Sequence, residues 1–336
     1  MKAFLALLAR WRIDPYLLAL AATVLFASFV PARGVGAEFT KGLTFVAVCL
    51  LFFLYGARLA PQAVLAGIAH WRLQLLILIA TFVLFPLLGL GLQTVIGDRL
   101  SPPLVAGLIF VCVLPSTVQS SIAFTSIARG NVAAALCAAS ASNLAGIVLT
   151  PLLVALFLHT QAGFSFKALE DIAIQLLLPF AAGQIARPFI GAFLARHKQI
   201  TSYVDRGSIL CVVYGAFSEG VVAGVWKNVS ASDLAWVIGL AIALLAIVLG
   251  LTMAASRLFG FSKADEIAIV FCGSKKSMAS GIPMANILFP AASVGLVVVP
   301  LMIFHQIQLF ACAFLAQRWG ARPADTDAAV ATEGDH

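Results

Sequence analysis

Apolar stretches of about 20 residues, each long enough to cross a bilayer, follow one another along the chain between short polar connections. We place ten of them, all predicted as helices, at about 15–32, 42–60, 70–92, 103–128, 131–158, 168–190, 206–223, 233–256, 264–288 and 291–317. Two spans break the pattern near their middles. Span four carries Pro115, then Ser116, Thr117, Gln119, Ser120 and Ser121; span nine carries Gly273, Ser274, Lys275, Lys276, Ser277, Gly281 and Pro283. Proline removes a backbone donor and clashes with the preceding turn. Glycine costs a helix interior about 1 kcal/mol relative to alanine. Both helices are therefore predicted to be interrupted. At membrane depth, non-helical backbone persists only where protein buries it or where it lines a watery cavity.

The interruptions also suggest an internal duplication. VLPSTVQSSIAFTSIA (113–128) lies over VFCGSKKSMASGIPMA (270–285) at an offset of 157 residues, and FLYG (53–56) in span two has a counterpart in VVYG (212–215) in span seven. Ten spans divide into two fives, and an odd number per half makes the second half enter from the opposite side. The pattern predicts an all-α polytopic membrane protein built as an inverted repeat. Its parts would be 1–160 (spans one to five), 161–320 (spans six to ten) and a disordered cytoplasmic tail, 321–336.

Composition strengthens this picture. The 336 residues are 62% hydrophobic and only 10% charged, whereas a soluble domain is roughly half apolar and about a quarter charged. The net charge of +7 could point to nucleic acid, but the basic residues lie mostly between spans. Counted with the N-terminus inside, 14 Lys and Arg fall on the inner side and 5 on the outer. This bias places both termini in the cytoplasm and argues against a nucleic-acid partner. The run from Pro15 to Val30 resembles a signal-peptide core, but the repeat requires it as a retained first span. The six cysteines all lie in apolar segments without CxxC spacing, so we expect free buried thiols rather than disulfides or a metal site.

Lys275 and Lys276 change the picture most. They lie about 15–18 Å from either end of span nine at 1.5 Å per residue, too deep to snorkel. A lysine there costs at least about 2.5–3.5 kcal/mol. At least one must face a cavity or a partner. The carboxylates nearly all flank spans; Glu219, the deepest, is about one turn inside span seven. Lysines without a nearby acid, together with the N-terminal ends of broken helices, favour an anion; alternatively a lysine replaces a bound cation. Other candidates for a central site are Ser140 and Asn143 in span five, Thr81 before Pro86 in span three, and His305 beside Gln306 in span ten. Ser142, four residues before Gly146, reads as helix packing. No HExxH, paired aspartates or Ser/His constellation points to an enzyme.

The segments LPSTVQSSIAFTSIARGN (114–131), SNLAGIVLTPLL (142–153), LPFAAGQIARP (178–188) and FCGSKKSMASGIPMANILFP (271–290) resemble the bile acid:sodium symporter superfamily. The closer resemblance is to its bacterial SBF-like branch, related to solute carrier family 10 member 7. It implies ten helices in two inverted repeats, with helices four and nine unwound where they cross. A panel of helices 1, 2, 6 and 7 would move against a core of the other six to give alternating access.

The resemblance also implies a sodium-ligand set. Its positions fall on Ser120 and Ser121; on Ala135 and Ala139 with Ser140 and Asn143 nearby; near Cys272 for the acid; near Lys276 for a glutamine; and on Thr81. Cysteine for acid and lysine for glutamine argue against sodium coupling. Lys276 would then stand in place of a sodium ion, bonded to Ser120, Ser121 or Asn143, in a secondary transporter of a small organic anion. Gln119, Ser274, Lys275, Ser277 and His305 complete the expected substrate or ion site. The coupling ion would be a proton or sodium, with no other cofactor.

Two alternatives stay open at this point: a non-transporting regulatory membrane protein linked to calcium homeostasis, and sodium-coupled symport of steroid-like anions. The expected setting is the bacterial inner membrane, as a monomer or weak dimer.

Overall fold

The computed structural model describes residues 15–58, 70–158, 173–224 and 229–322. The described residues are all-helical, without a strand. In chain order the helices are α1 (Pro15–Phe29), α2 (Val35–Arg58), α3 (Trp71–Ile96), α4 (Pro102–Val113), α5 (Gln119–Ile127) and α6 (Val132–Phe157). There follow α7 (Leu178–Arg196), α8 (Lys198–Val222), α9 (Ala231–Leu258), α10 (Lys263–Gly273), α11 (Met278–Leu288) and α12 (Ala291–Gly320). Six of these, α2, α3, α6, α7 with the turn before it, α9 and α12, are long and apolar enough to cross a membrane. The expected spans four and nine each appear as two half-helices, α4 with α5 and α10 with α11. The expected basic N-terminus and nearly all of the tail lie outside the described residues.

Several helices run past the ends of the apolar runs. Span two begins at Val35 rather than near residue 42, because Glu38 and Lys41 extend the helix without being apolar. A glutamate in the first turn suits the positive end of the helix dipole. Span seven likewise begins at Lys198, eight residues early. Four helices, α6, α9, α10 and α11, start where the sequence supplies a side-chain cap. Asn131, Ser230, Ser262 and Ser277 accept hydrogen bonds from the backbone N–H of Ala134, Asp233, Asp265 and Ser280 respectively.

The helices form two layers. In one, α2 packs along α7 and α8, and α8 along α1. In the other, α12 packs along α4, α9 and α11, while α3, α6 and α10 close around the half-helices. The layers meet where α8 lies on α11 and α12. Within the first layer, Gly56 faces the Phe180 carbonyl and Gly183 faces the Phe53 carbonyl, each so closely that a Cβ would strike it. At one end of this layer Arg58 forks onto Asp205 at 2.6 and 3.2 Å. In the other layer Glu266, at the start of α10, is held by Lys263 and Arg257.

Two π-helical turns, Ala80–Leu84 inside α3 and Ala173–Leu177 before α7, each directly precede a residue followed by proline, Pro86 and Pro179. Proline has no N–H to continue the usual ladder. Wider turns of this kind are frequent at functional sites.

Candidate functional site

The two interruptions touch. The chain is extended at Leu114 and re-enters a helix at Gln119; on the other side it leaves α10 at Gly273 and re-enters at Met278. The Ser277 N–H donates to the Pro115 carbonyl at 2.8 Å, so the two breaks are bonded main chain to main chain. A helix end leaves its last carbonyls without partners, and at α4 other helices supply them. Val113 O accepts from the Thr150 hydroxyl at 2.8 Å, and Ser116 O from the Asn143 amide at 2.7 Å. At α10 the exchange runs the other way. Ser116 donates its hydroxyl to Cys272 O at 2.6 Å, and Ser121 donates to Phe271 O at 3.1 Å.

Lys276 completes this set. Its Nζ donates to the carbonyls of Thr81, Cys112 and Leu114 at 2.8, 2.9 and 2.7 Å. All three ammonium protons therefore have an acceptor. The Thr81 carbonyl is free for a physical reason. Phe85 N–H is bonded to Ala80 O in the π turn, and residue 86, a proline, offers no N–H. Cys112 and Leu114 stand at the C-terminal, partially negative end of α4, which favours a cation. The ammonium also lies 4.0 Å from the centre of the Phe85 ring. The unwound backbone of Lys276 is held by Gln308 of α12. The Gln308 amide accepts from Lys276 N at 2.8 Å and donates to Lys276 O at 2.9 Å. Gln308 also bonds His305 Nδ1 at 2.9 Å.

Lys275 points elsewhere. Its Nζ has no hydrogen-bond partner and lies 4.0 Å from the Phe124 ring centre and 5.7 Å from that of Phe271. Both lysines are 0% exposed. Unwinding thus sends the two side chains into separate pockets instead of one shared wall.

The serine and asparagine candidates form a third group. Asn143 donates to Ser116 O and Ala139 O and accepts from the Ser280 hydroxyl at 2.8 Å, joining both breaks to α6. The Thr117 hydroxyl bonds those of Ser120 and Ser121 at 2.9 and 3.0 Å. Ser142, read as a packing residue, accepts from Ser116 N at 3.0 Å. Ser277 caps α11 and shares a hydrogen bond with Ser280, while the Ser274 hydroxyl turns back to Val270 O. Ser140 takes no part in the network, and the side chain of Gln119 lies outside the described residues.

One expectation changes. The Lys276 ammonium is not bonded to Ser120, Ser121 or Asn143, because nearer carbonyls, freed by the π turn and the end of α4, take all its protons. Of the cavity or partner expected beside the lysines, Lys276 has the partner, three carbonyls, and both lysines are 0% exposed. Sequence reasoning also missed Gln308. Its only signal was a polar residue one helical turn from His305 in an apolar span.

An all-helical fold with six helices long and apolar enough to cross a membrane, and two half-helix pairs bonded to each other around buried lysines, is an arrangement suited to a membrane transporter. A model of the SBF-like CPA transporter family matches residues 14–321, and the chain belongs to that family. It is 52% identical over 308 residues to YfeH of Escherichia coli (strain K12), provisionally named a symporter, covering 91% of this chain and 93% of that one. It is 28% identical over 319 residues to sodium/bile acid cotransporter 7 of Danio rerio, covering 91% and 93%, and 29% identical over 313 residues to that of Mus musculus, covering 90% and 91%.

Proposed function

We propose that the protein is a secondary transporter of a small organic anion, working by alternating access, in which Lys276 is a tethered cation at the crossing of the two broken helices. Ten spans in two inverted halves, with both termini in the cytoplasm of a bacterial inner membrane, would set the two layers against each other across this crossing. The observation that carries the reading is the triad of carbonyls at 2.7–2.9 Å around the Lys276 ammonium. Backbone carbonyls at hydrogen-bond distance are what a desolvated monovalent cation would otherwise need. Two of the positions that the family resemblance assigns to sodium ligands, 81 and 276, meet here, and one of them is itself the charge.

Among the described residues, no carboxylate bonds either lysine. Lys275 is the positive group left without an acceptor, and on this reading it either attracts the anionic substrate when the layers part or carries a proton. The names of the vertebrate relatives point to sodium-coupled transport of bile acids. The ammonium at position 276 speaks against carrying the sodium requirement over to this chain.

The test is uptake into proteoliposomes by Lys276→Ala. Wild-type uptake of an accepted anion should not require sodium. The variant should be inactive in choline buffer and partly restored by sodium or methylammonium. Sodium-dependent uptake by the wild type, or a variant that transports normally without added cation, sinks the reading.

A further inference from the structure

A second polar site lies away from the crossing, where the two layers meet. Thr40, Lys41 and Thr44 of α2, Gly215, Ser218 and Glu219 of α8 and Asn286 of α11 line a cavity of about 30 Å³. A single water needs about 10–15 Å³ of such space, so one small ion with a water fits. Of its hydroxyls, Thr44 Oγ1 has only the Cys211 thiol beside it, a weak partner, and Ser218 Oγ is buried without any hydrogen-bond partner. The residues are 5% and 1% exposed. Such groups normally find partners, and an orphan hydroxyl beside a weakly partnered one in the same cavity points to a ligand between them. Gly215 keeps the space open, since a Cβ there would come within 3.1 Å of Thr44 Oγ1.

We propose that this cavity binds one monovalent cation of about sodium size. Five side chains offer oxygen: the Glu219 carboxylate, the Thr40, Thr44 and Ser218 hydroxyls and the Asn286 amide. Oxygen-only donors suit a hard cation. The charge balance selects its valence. Lys41 and Glu38 pair with each other at 3.5 Å and cancel, leaving the single charge of Glu219. The cavity offers a single carboxylate, which balances one positive charge. Thr44, Ser218 and Glu219 belong to one layer and Asn286 to the other, so a bound ion bridges the layers and favours the conformation seen here. The site is separate from the crossing, where the buried charges are those of Lys275 and Lys276.

The experiment is thermal unfolding of the purified full-length protein in detergent. Sodium chloride is raised while choline chloride keeps ionic strength constant. The wild type should gain stability with sodium as mass action requires, and less with potassium. Glu219→Gln should need at least about tenfold more sodium for the same gain. Thr44→Val decides the matter if Glu219→Gln fails to fold in choline alone, and should show the same weakening. Absence of any sodium effect on the wild type overturns the proposal. So does a sodium response undiminished in Glu219→Gln or, where that variant does not fold, in Thr44→Val.

Discussion

Lys275 and Lys276 are neighbours in sequence, equally buried, and oppositely housed. One ammonium has three carbonyl acceptors and an aromatic face; the other has two aromatic faces and no acceptor. The difference teaches that burial alone does not define the role of a membrane lysine. Lys276 is structural as well as electrostatic, since it ties α3 to the end of α4. Lys275 contributes no side-chain hydrogen bond to the fold and is held by aromatic faces instead.

Three substitutions test this contrast. Lys276→Met should be the most damaging, because it leaves buried carbonyls of α3 and α4 unsatisfied. We expect a loss of about 3–5 kcal/mol, read as a lower unfolding temperature in detergent, together with loss of uptake. Lys275→Met should act in the opposite direction on stability. Replacing an unbonded buried charge by an apolar side chain of similar length should stabilise by about 1–2 kcal/mol, while uptake falls. A loss of stability as large as that of Lys276→Met would erase the contrast. Thr81→Val sharpens it further. The Thr81 hydroxyl is buried without a partner, whereas its carbonyl holds Lys276. Valine keeps the carbonyl, so stability should change by less than about 1 kcal/mol and uptake should persist. A large loss of uptake would show that the hydroxyl itself serves the substrate or ion.

The interruptions were legible because their cause is written in residue types. Pro115, Gly273 and two lysines are anomalous in apolar runs, and the anomaly fell where the helices break, whereas Gly281 and Pro283 lie inside α11 without interrupting it. The partners of Lys276 were not legible. They are main-chain carbonyls, which every residue possesses, and only the π turn before Pro86 and the end of α4 decide which of them are free. Asn143 was found because a buried amide needs several partners. Gln308 was missed because its partner is the backbone of another helix. Helix limits such as Val35 and Lys198 escaped for a simpler reason: hydropathy marks where lipid would begin, not where the helix does.

The two glycines that seat α2 against α7 carry a mechanical consequence. With Gly56 under one carbonyl and Gly183 under another, sliding either helix by a single residue would drive a side chain into a peptide oxygen. That pair is indexed like meshed gear teeth. A displacement that keeps this seam intact would have to be taken up elsewhere, as at the boundary where α8 rests on α11 and α12.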